Sequence, residues 1–399
     1  MGVSKVGLKE MLNKRTIWKI ILYIILVAFV LFIGFCATII VLFAGVGKFY
    51  FPVIVISAVL LLTFTLLHLF NIVTSRKMKK AWLMFLSLLI VSCAIYEGRN
   101  AYDRSIFRVR EGSLDLSLYS PFTQNTKAVV LDTLPVLKLE TDLPLLDGAT
   151  ALYPLYSAFA QAVYPEKTYN LYLSEVACNN TIRSYKRLID KETDIIFVAP
   201  PSKEQSEAAE AAGVAFQYTP AGKEAFVFFV NSRNPVNNLT IEQLQAIYSG
   251  EITNWKEVGG NDESIRSFQR NNNSGSQTAF VRFMRGKDII KAPVEDVITG
   301  MGDIISQAAD YANYGNAIGF SFRFYVSEMI KNEEVRILKV NGVYPDLETI
   351  GNGEYPLASP FYAITLTDNN KPNVLKFLDW ITSEQGQYLV KKTGYCPIK

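Results

Sequence analysis

Histidine is almost missing from this chain. Of 399 residues one is histidine, His68, and it lies inside an apolar run of the first quarter. Everything after residue 96 therefore has none. A Ser-His-Asp or Cys-His hydrolase is excluded there, as is a His-ligated metal site. Cysteine is nearly as scarce. Cys36 and Cys93 sit in apolar runs, and Cys178 and Cys396 lie 218 positions apart, which matches no zinc-ligand spacing. The latter pair reads as two small buried side chains, with a disulfide between them as the alternative. No GxxxxGK[ST] occurs, so there is no P-loop, and no cofactor or metal is expected. No internal repeat or low-complexity segment is present.

Acidic residues are missing from one end. Residues 1–96 hold ten basic residues and a single acid, Glu10, which leaves 30 basic and 36 acidic residues for the remainder. A basic, apolar first quarter thus joins a mildly acidic remainder. The latter lacks the basic face of a nucleic-acid-binding domain. Hydrophobic residues make up 50% of the chain and mean hydropathy is +0.17, values that suit a partly membrane-embedded protein. The roughly 300 residues after the first quarter suffice for one large core or two smaller ones.

Three apolar runs stand out, Ile17–Val46, Phe49–Val73 and Ala81–Tyr96. A spanning helix needs about 20 apolar residues, so the first two suffice and the third is short. Lys5, Lys9, Lys14 and Arg15 precede the first run and Lys19 lies at its start. Only Lys48 falls in the first loop, and Arg76-Lys77-Met78-Lys79-Lys80 fill the second. High, low, high basic charge predicts a cytoplasmic N-terminus, a multi-pass membrane region over 1–96 and an extracellular remainder. A second reading makes Arg76–Lys80, Ala81–Ile90 and Ile90-Val91-Ser92-Cys93 a lipoprotein signal cleaved before Cys93. Such a signal normally opens a chain, whereas this one lies behind two spans. Both readings tether the remainder to the membrane lipid. His68 is expected to be neutral and bonded to a neighbouring helix.

Residues 97–146 read as a connector whose Pro121, Pro135 and Pro144 interrupt short apolar stretches. From Asp147 onward helices and strands alternate. Helices are expected over Ala151–Val163, Thr181–Ile189, Ser202–Ala212, Thr240–Tyr248 and Thr278–Met284, and strands over Tyr169–Val176, Asp194–Val198 and Ala225–Val230. This pattern implies α/β architecture with largely parallel sheets. Three short stretches open helices with hydroxyls and small residues: Asp147-Gly148-Ala149-Thr150-Ala151, Asn179-Asn180-Thr181, and Arg270 to Gln277 through Asn271-Asn272-Asn273-Ser274-Gly275-Ser276. Free N–H groups and the helix dipole favour an anion at such termini, and Arg270 adds a fork of donors. Taken singly, each stretch is more often an ordinary N-cap than an anion site.

At these residues the sequence resembles the phosphate-binding receptors of bacterial ABC phosphate importers, which have a type II periplasmic-binding-protein-like fold. Gly148-Ala149-Thr150 with Pro154 and Tyr156 is similar to that family's opening loop. Ile247–Trp255 (IYSGEITNW) with Val258-Gly259-Gly260 resembles its G-x-I-T-x-W…GG signature. Arg270-x-x-x-Ser274-Gly275-Ser276 resembles its anion loop, and Glu384-Gln385-Gly386-Gln387 fits its C-terminal helix. The similarity spans about Asp147 to Ile398. It implies a two-lobed α/β domain over 147–399 preceded by about three transmembrane helices (about 17–46, 49–73 and 81–96). Lobe 1 would combine about 125–225 and 356–399, and lobe 2 would be about 231–350, with crossings at Ala225–Val230 and Tyr355–Ala358. The implied anion site is Thr150, the Ala151 N–H, Thr181, Arg270, Ser274, Gly275 and Ser276.

Two positions depart from the family. It carries an aspartate just after the buried strand, where this chain has Ala199-Pro200-Pro201, and an acid two residues after the arginine, where this chain has Asn272. A carboxylate accepts the proton of hydrogen phosphate and repels sulfate. Without these acids, Asn272 would accept or donate and the repulsion would be absent. The implied function is a membrane-tethered extracellular receptor that binds phosphate or a related oxyanion for an ABC importer whose permease and ATPase are separate chains. The alternative is a membrane-anchored sensor or interaction protein with an altered ligand, to which the multi-span anchor points. An enzyme is not expected, because Ser274 has no evident base beside it.

Overall fold

A computed structural model describes residues 5–43, 47–70, 72–106, 108–109, 115–270, 272–291 and 311–398. The chain divides into an N-terminal helical unit that ends at Ser105 and a second unit that begins at Ile106.

The first unit holds α1 (Lys5–Phe43), α2 (Gly47–Leu69) and α3 (Ser75–Ser105). Three stretches, Thr16–Phe43, Gly47–Leu69 and Arg76–Ser105, are long and apolar enough to cross a membrane. Their large apolar side chains, among them Trp18, Phe32, Phe43, Leu83 and Ile95, face outward. Helices apolar on all sides need an apolar medium. The third helix is longer than its apolar run and carries Glu97 and Arg104 in its C-terminal part. Polar groups join the helices at their ends. Lys19 Nζ donates to the Leu69 carbonyl at the C-terminus of α2, 2.7 Å away. Tyr50 OH donates to Glu97 Oε1 at 2.5 Å, and Phe49 stacks on Tyr96 with ring centroids 4.0 Å apart. His68 departs from expectation. It is exposed in the last turn of α2, beside Lys79 and Trp82, and makes no hydrogen bond to another helix among the described residues. An end-of-helix position lets its ring reach the polar boundary, so no interhelical partner is required.

The second unit is a mixed α/β domain. Its strands are β1 (Arg108–Val109), β2 (Leu146–Gly148), β3 (Ile195–Val198), β4 (Phe216–Asn231), β5 (Asn238–Leu239), β6 (Arg266–Ser267), β7 (Tyr311–Ala312), β8 (Ala317–Phe322), β9 (Val335–Ile337), β10 (Lys339–Val340) and β11 (Ala358–Leu366). Its helices are α4 (Tyr153–Val163), α5 (Asn180–Ile189), α6 (Lys203–Ala211), α7 (Ile241–Ser249), α8 (Gly275–Phe283), α9 (Leu347–Gly351), α10 (Pro372–Thr382) and α11 (Glu384–Thr393). Seven strands form one sheet in the order β2-β3-β11-β4-β8-β6, with β9 also on β4. β4 joins its two halves. Its first part pairs with β11, from Phe216↔Leu366 to Ala225↔Ala358, and Phe226–Asn231 pair with β8 and β9.

The sheet corrects the expectation of largely parallel pairing. β2–β3 and β6–β8 are parallel, but β11 runs antiparallel to β3 and β4, and β4 runs antiparallel to β8 and β9. The reason is the route of the chain. It leaves the first half of the sheet along β4 and comes back along β11, so the out-going and returning strands oppose each other.

Local sequence explains most of the helices. Ser202 and Thr240 each form a capping box, with Gln205 and Gln243 at the third helical position. Gly250 closes α7 with φ 83°. The strand expected over Tyr169–Val176 is not formed. Asn170 Oδ1 accepts the N–H groups of Tyr172 and Leu173, and Ser174 Oγ bonds back to the Asn170 carbonyl. These side chains hold a turn, and only Val176 bridges to Leu146. Cys178 and Cys396 are both buried free thiols.

The connector does not float. After a short 3-10 turn at Leu116–Tyr119, Gln385 Oε1 accepts from the Val136 N–H, Asn373 Nδ2 donates to the Thr141 carbonyl, and Lys392 pairs with Asp132. These contacts fasten it along α10 and α11.

Candidate functional site

Three helix starts and two crossing segments meet at one cleft in the second unit. Counting the part open to solvent, it encloses about 840 Å³.

The first wall begins at β2. Asp147 is fully buried and takes five donors. Oδ1 accepts the Gly148 N–H at 2.8 Å, the Asn179 N–H at 2.8 Å and Ser184 Oγ at 3.0 Å. Oδ2 accepts Asn179 Nδ2 at 2.9 Å and Arg187 at 2.5 Å. One carboxylate thereby fixes the loop after β2 against the start of α5. Gly148 lets the loop approach β3: a Cβ there would lie 2.5 Å from the Phe197 carbonyl oxygen and 3.0 Å from the Tyr156 ring. Gly148→Ala is expected to cost about 1–3 kcal/mol by overpacking. Tm should fall by roughly 3–10 °C, read by thermal unfolding of the purified chain.

Past Gly148 the chain turns through a 3-10 segment, Thr150–Leu152, into α4. Thr150, Ala151 and Leu152 line the cleft. Tyr395, from the C-terminal segment, donates to the Ala151 carbonyl and stacks on Phe324 with centroids 4.3 Å apart. Behind this turn Cys178 is buried, and burial pushes its thiol up to about 12. It is therefore an inert packing residue.

The second wall is the start of α5. Asn180 has φ 65°, and its Oδ1 accepts the N–H groups of Ile182 and Arg183. Thr181 is 7% exposed and lines the cleft.

The third wall is the start of α8. Ser274 is its N-cap, and its Oγ accepts the Gln277 N–H at 3.3 Å. A hydroxyl that accepts in this way still has its O–H to donate. Gln277 Oε1 accepts the Arg270 N–H at 2.8 Å, which ties the arginine's backbone to the first turn of α8. Arg270, Ser274, Gly275 and Ser276 all line the cleft. Thr181 faces Gly275 so closely that a Cβ on Gly275 would lie 3.2 Å from Thr181 Oγ1.

Seven of the eight residues singled out from the sequence thus share this cleft: Thr150, Ala151, Thr181, Arg270, Ser274, Gly275 and Ser276. The eighth, Asn272, is exposed and is not among the lining residues. Donors surround the space, as an anion site requires: hydroxyls, one guanidinium and the N-terminal ends of two α-helices.

Sequence reasoning expected crossing segments but placed none of their residues in the cleft. Glu224 of β4, Ser359 and Phe361 of β11, and Ser321, Phe322 and Tyr325 after them in space complete the lining. Glu224 overturns the expectation of a cleft without a carboxylate. It is 4% exposed, and burial pushes its carboxyl up to about 7. Arg323, 3.8 Å away, and the N–H groups of Ala225 and Phe324 act in the opposite direction. The available signal was an acid set directly before the apolar run Ala225–Val230, all of which is buried.

The PBP superfamily domain matches residues 141–385. The phosphate-binding protein PstS of Borreliella burgdorferi is 28% identical over 239 residues, 58% of this chain and 80% of that protein. PstS of Bacillus subtilis is 30% identical over 172 residues, 42% of this chain and 53% of that protein. Among solved structures, an ABC-type phosphate transport receptor from Vibrio cholerae aligns with a TM-score of 0.45 at 22% identity, over 63% of this chain and 98% of that one.

Proposed function

The chain belongs to the PBP superfamily, a family of binding proteins and not of enzymes, and on that premise we propose that it binds phosphate or a related oxyanion outside the cell. One observation carries the reading. Arg270 and the hydroxyls of Thr150, Thr181, Ser274 and Ser276 come from three separate segments and line one cleft. Any one of these segments alone would be an N-cap. Their convergence supplies the donors that a tetrahedral anion needs. The names of the relatives, phosphate-binding proteins, support the same ligand class.

In this proposal the helices α1–α3 anchor the receptor, with the N-terminus cytoplasmic and the binding domain extracellular. Basic charge in the first part of α1 and in the first turns of α3 supports that orientation. The ligand is held as the two lobes close, and is passed to a permease driven by an ATPase, both of them separate chains. Calorimetric titration of the full chain in detergent tests the ligand. Saturable heat with phosphate is expected, and none with phosphate or sulfate would sink the proposal. Protease added to intact cells tests the orientation. It should remove the second unit and leave a protected fragment of α1–α3.

The three-helix anchor also supports a second reading, a membrane sensor that reports on the ligand. Growth of a deletion strain on limiting phosphate separates the two: an importer's receptor should be required, a sensor's effect should appear in gene expression instead.

A further inference from the structure

We infer that Glu224 makes the cleft select an anion that carries its own proton, hydrogen phosphate over sulfate; this rests on the oxyanion reading of the same cleft. The resemblance would place selecting acids near Ala199 and at position 272. This chain has no acid at either place. Its carboxylate comes from a different element, the strand that joins the two halves of the sheet.

The geometry has three parts. Glu224 lines the cleft together with Arg270 and the hydroxyls. It is held in place: Oε1 accepts the Ala225 N–H at 2.8 Å, Oε2 accepts the Phe324 N–H at 3.2 Å, and Arg323 Nε stands 3.8 Å from Oε1. Each oxygen keeps a second lone pair for a ligand donor. Finally, Arg323 is shared. It also faces Glu328 at 3.8 Å and donates to the Gly394 carbonyl at 2.5 Å, so its charge is not committed to Glu224.

The other ionisable groups around Glu224 are Lys223 on the same strand, Tyr395 and Cys396 of the C-terminal segment, and Arg270 and Tyr325 across the cleft. Against the ionised carboxylate a fully deprotonated oxyanion meets a like charge and an acceptor facing an acceptor. Hydrogen phosphate turns its P–OH to Glu224 and presents its remaining oxygens to Arg270 and the hydroxyls. A site that requires a ligand hydroxyl can reject the analogue lacking it by about 10⁴-fold.

The sign of the pH effect follows. Burial raises the Glu224 carboxyl to about 7. Below about pH 7 the carboxyl holds its own proton and tolerates sulfate. Above it, sulfate binding must take up a proton, and its affinity falls by up to tenfold per pH unit. Phosphate brings the proton and escapes that loss.

Phosphate and sulfate affinities of the full chain in detergent, measured by calorimetry from about pH 6 to about pH 8.5, test this. The wild type should show the sulfate loss above neutrality. Glu224→Gln should abolish it, strengthen sulfate binding at the alkaline end by at least tenfold, and shrink the preference for phosphate by the same factor. A thermal melt checks that the variant folds, and if it does not, the wild-type sulfate series decides alone. Phosphate binding with a flat sulfate profile in the wild type would overturn the role of Glu224. Absence of phosphate binding in the wild type would overturn the oxyanion reading beneath it.

Discussion

Arg270→Ala is expected to weaken phosphate binding by roughly 30-fold to more than 1,000-fold, the range for removing one member of a desolvated charge pair at about 2–5 kcal/mol. The reasons are local. Arg270 is the one cationic side chain among the described residues that line the cleft. Its backbone is fixed by Gln277 Oε1, and Gln277 is fixed in turn by Gln269 at 3.2 Å, so the arginine starts from a defined place. Arg270→Lys keeps the charge but loses the planar fork, and should fall between the alanine variant and the wild type. Arg233, exposed and outside the cleft, is the control, and Arg233→Ala should leave affinity unchanged. Equal phosphate affinity in the Arg270→Ala and wild-type proteins would place the anion elsewhere.

Asp147→Ala should have the largest effect on stability. The residue has no exposure and holds five donors from the loop after β2 and from α5. Removal leaves two backbone N–H groups without their acceptor and takes from Arg187, whose side chain is 25% exposed, its buried partner, so that only Glu192 at 3.5 Å still faces it. Breaking such a buried pair costs about 3–5 kcal/mol. For a domain of this size that is a fall in Tm of roughly 6–20 °C. Binding should weaken as well, even far below Tm, because the turn carrying Thr150 and the helix start carrying Thr181 are both tied to this carboxylate. Asp147→Asn retains acceptor capacity on one atom and should lie between. Thermal unfolding followed by phosphate titration at low temperature separates the two effects. A melt within about 2 °C of wild type would show that the network is dispensable.

Part of the site was legible because its grammar is local. A serine or threonine before a helix reads as a cap wherever it occurs, and Ser202, Thr240 and Ser274 act as caps. The order Arg270, Ser274, Gly275, Ser276 is a helix start with an arginine one turn ahead of it. Reading fails where short range competes with long range. Tyr169–Val176 has the alternation of a strand, but Asn170 and Ser174 satisfy the backbone themselves and only Val176 bridges to a strand, at Leu146 of β2. Asn272 was chosen by its spacing from Arg270, yet spacing along a loop does not say which way the loop faces. It faces solvent.

The sequence by itself determined three things: helices fit for a membrane, because long charge-free runs leave no other stable medium; an α/β remainder; and three helix starts suited to an anion. Only the tertiary structure decided that these starts meet, that the joining strands run antiparallel, and that Glu224 stands among the donors. The physical reason is distance along the chain. Pairing of Ala225 with Ala358, and the ties from Glu224 to Arg323 and Phe324, join segments about a hundred residues or more apart. No local pattern encodes which of them will close on each other, since that is set by burial of the whole sheet.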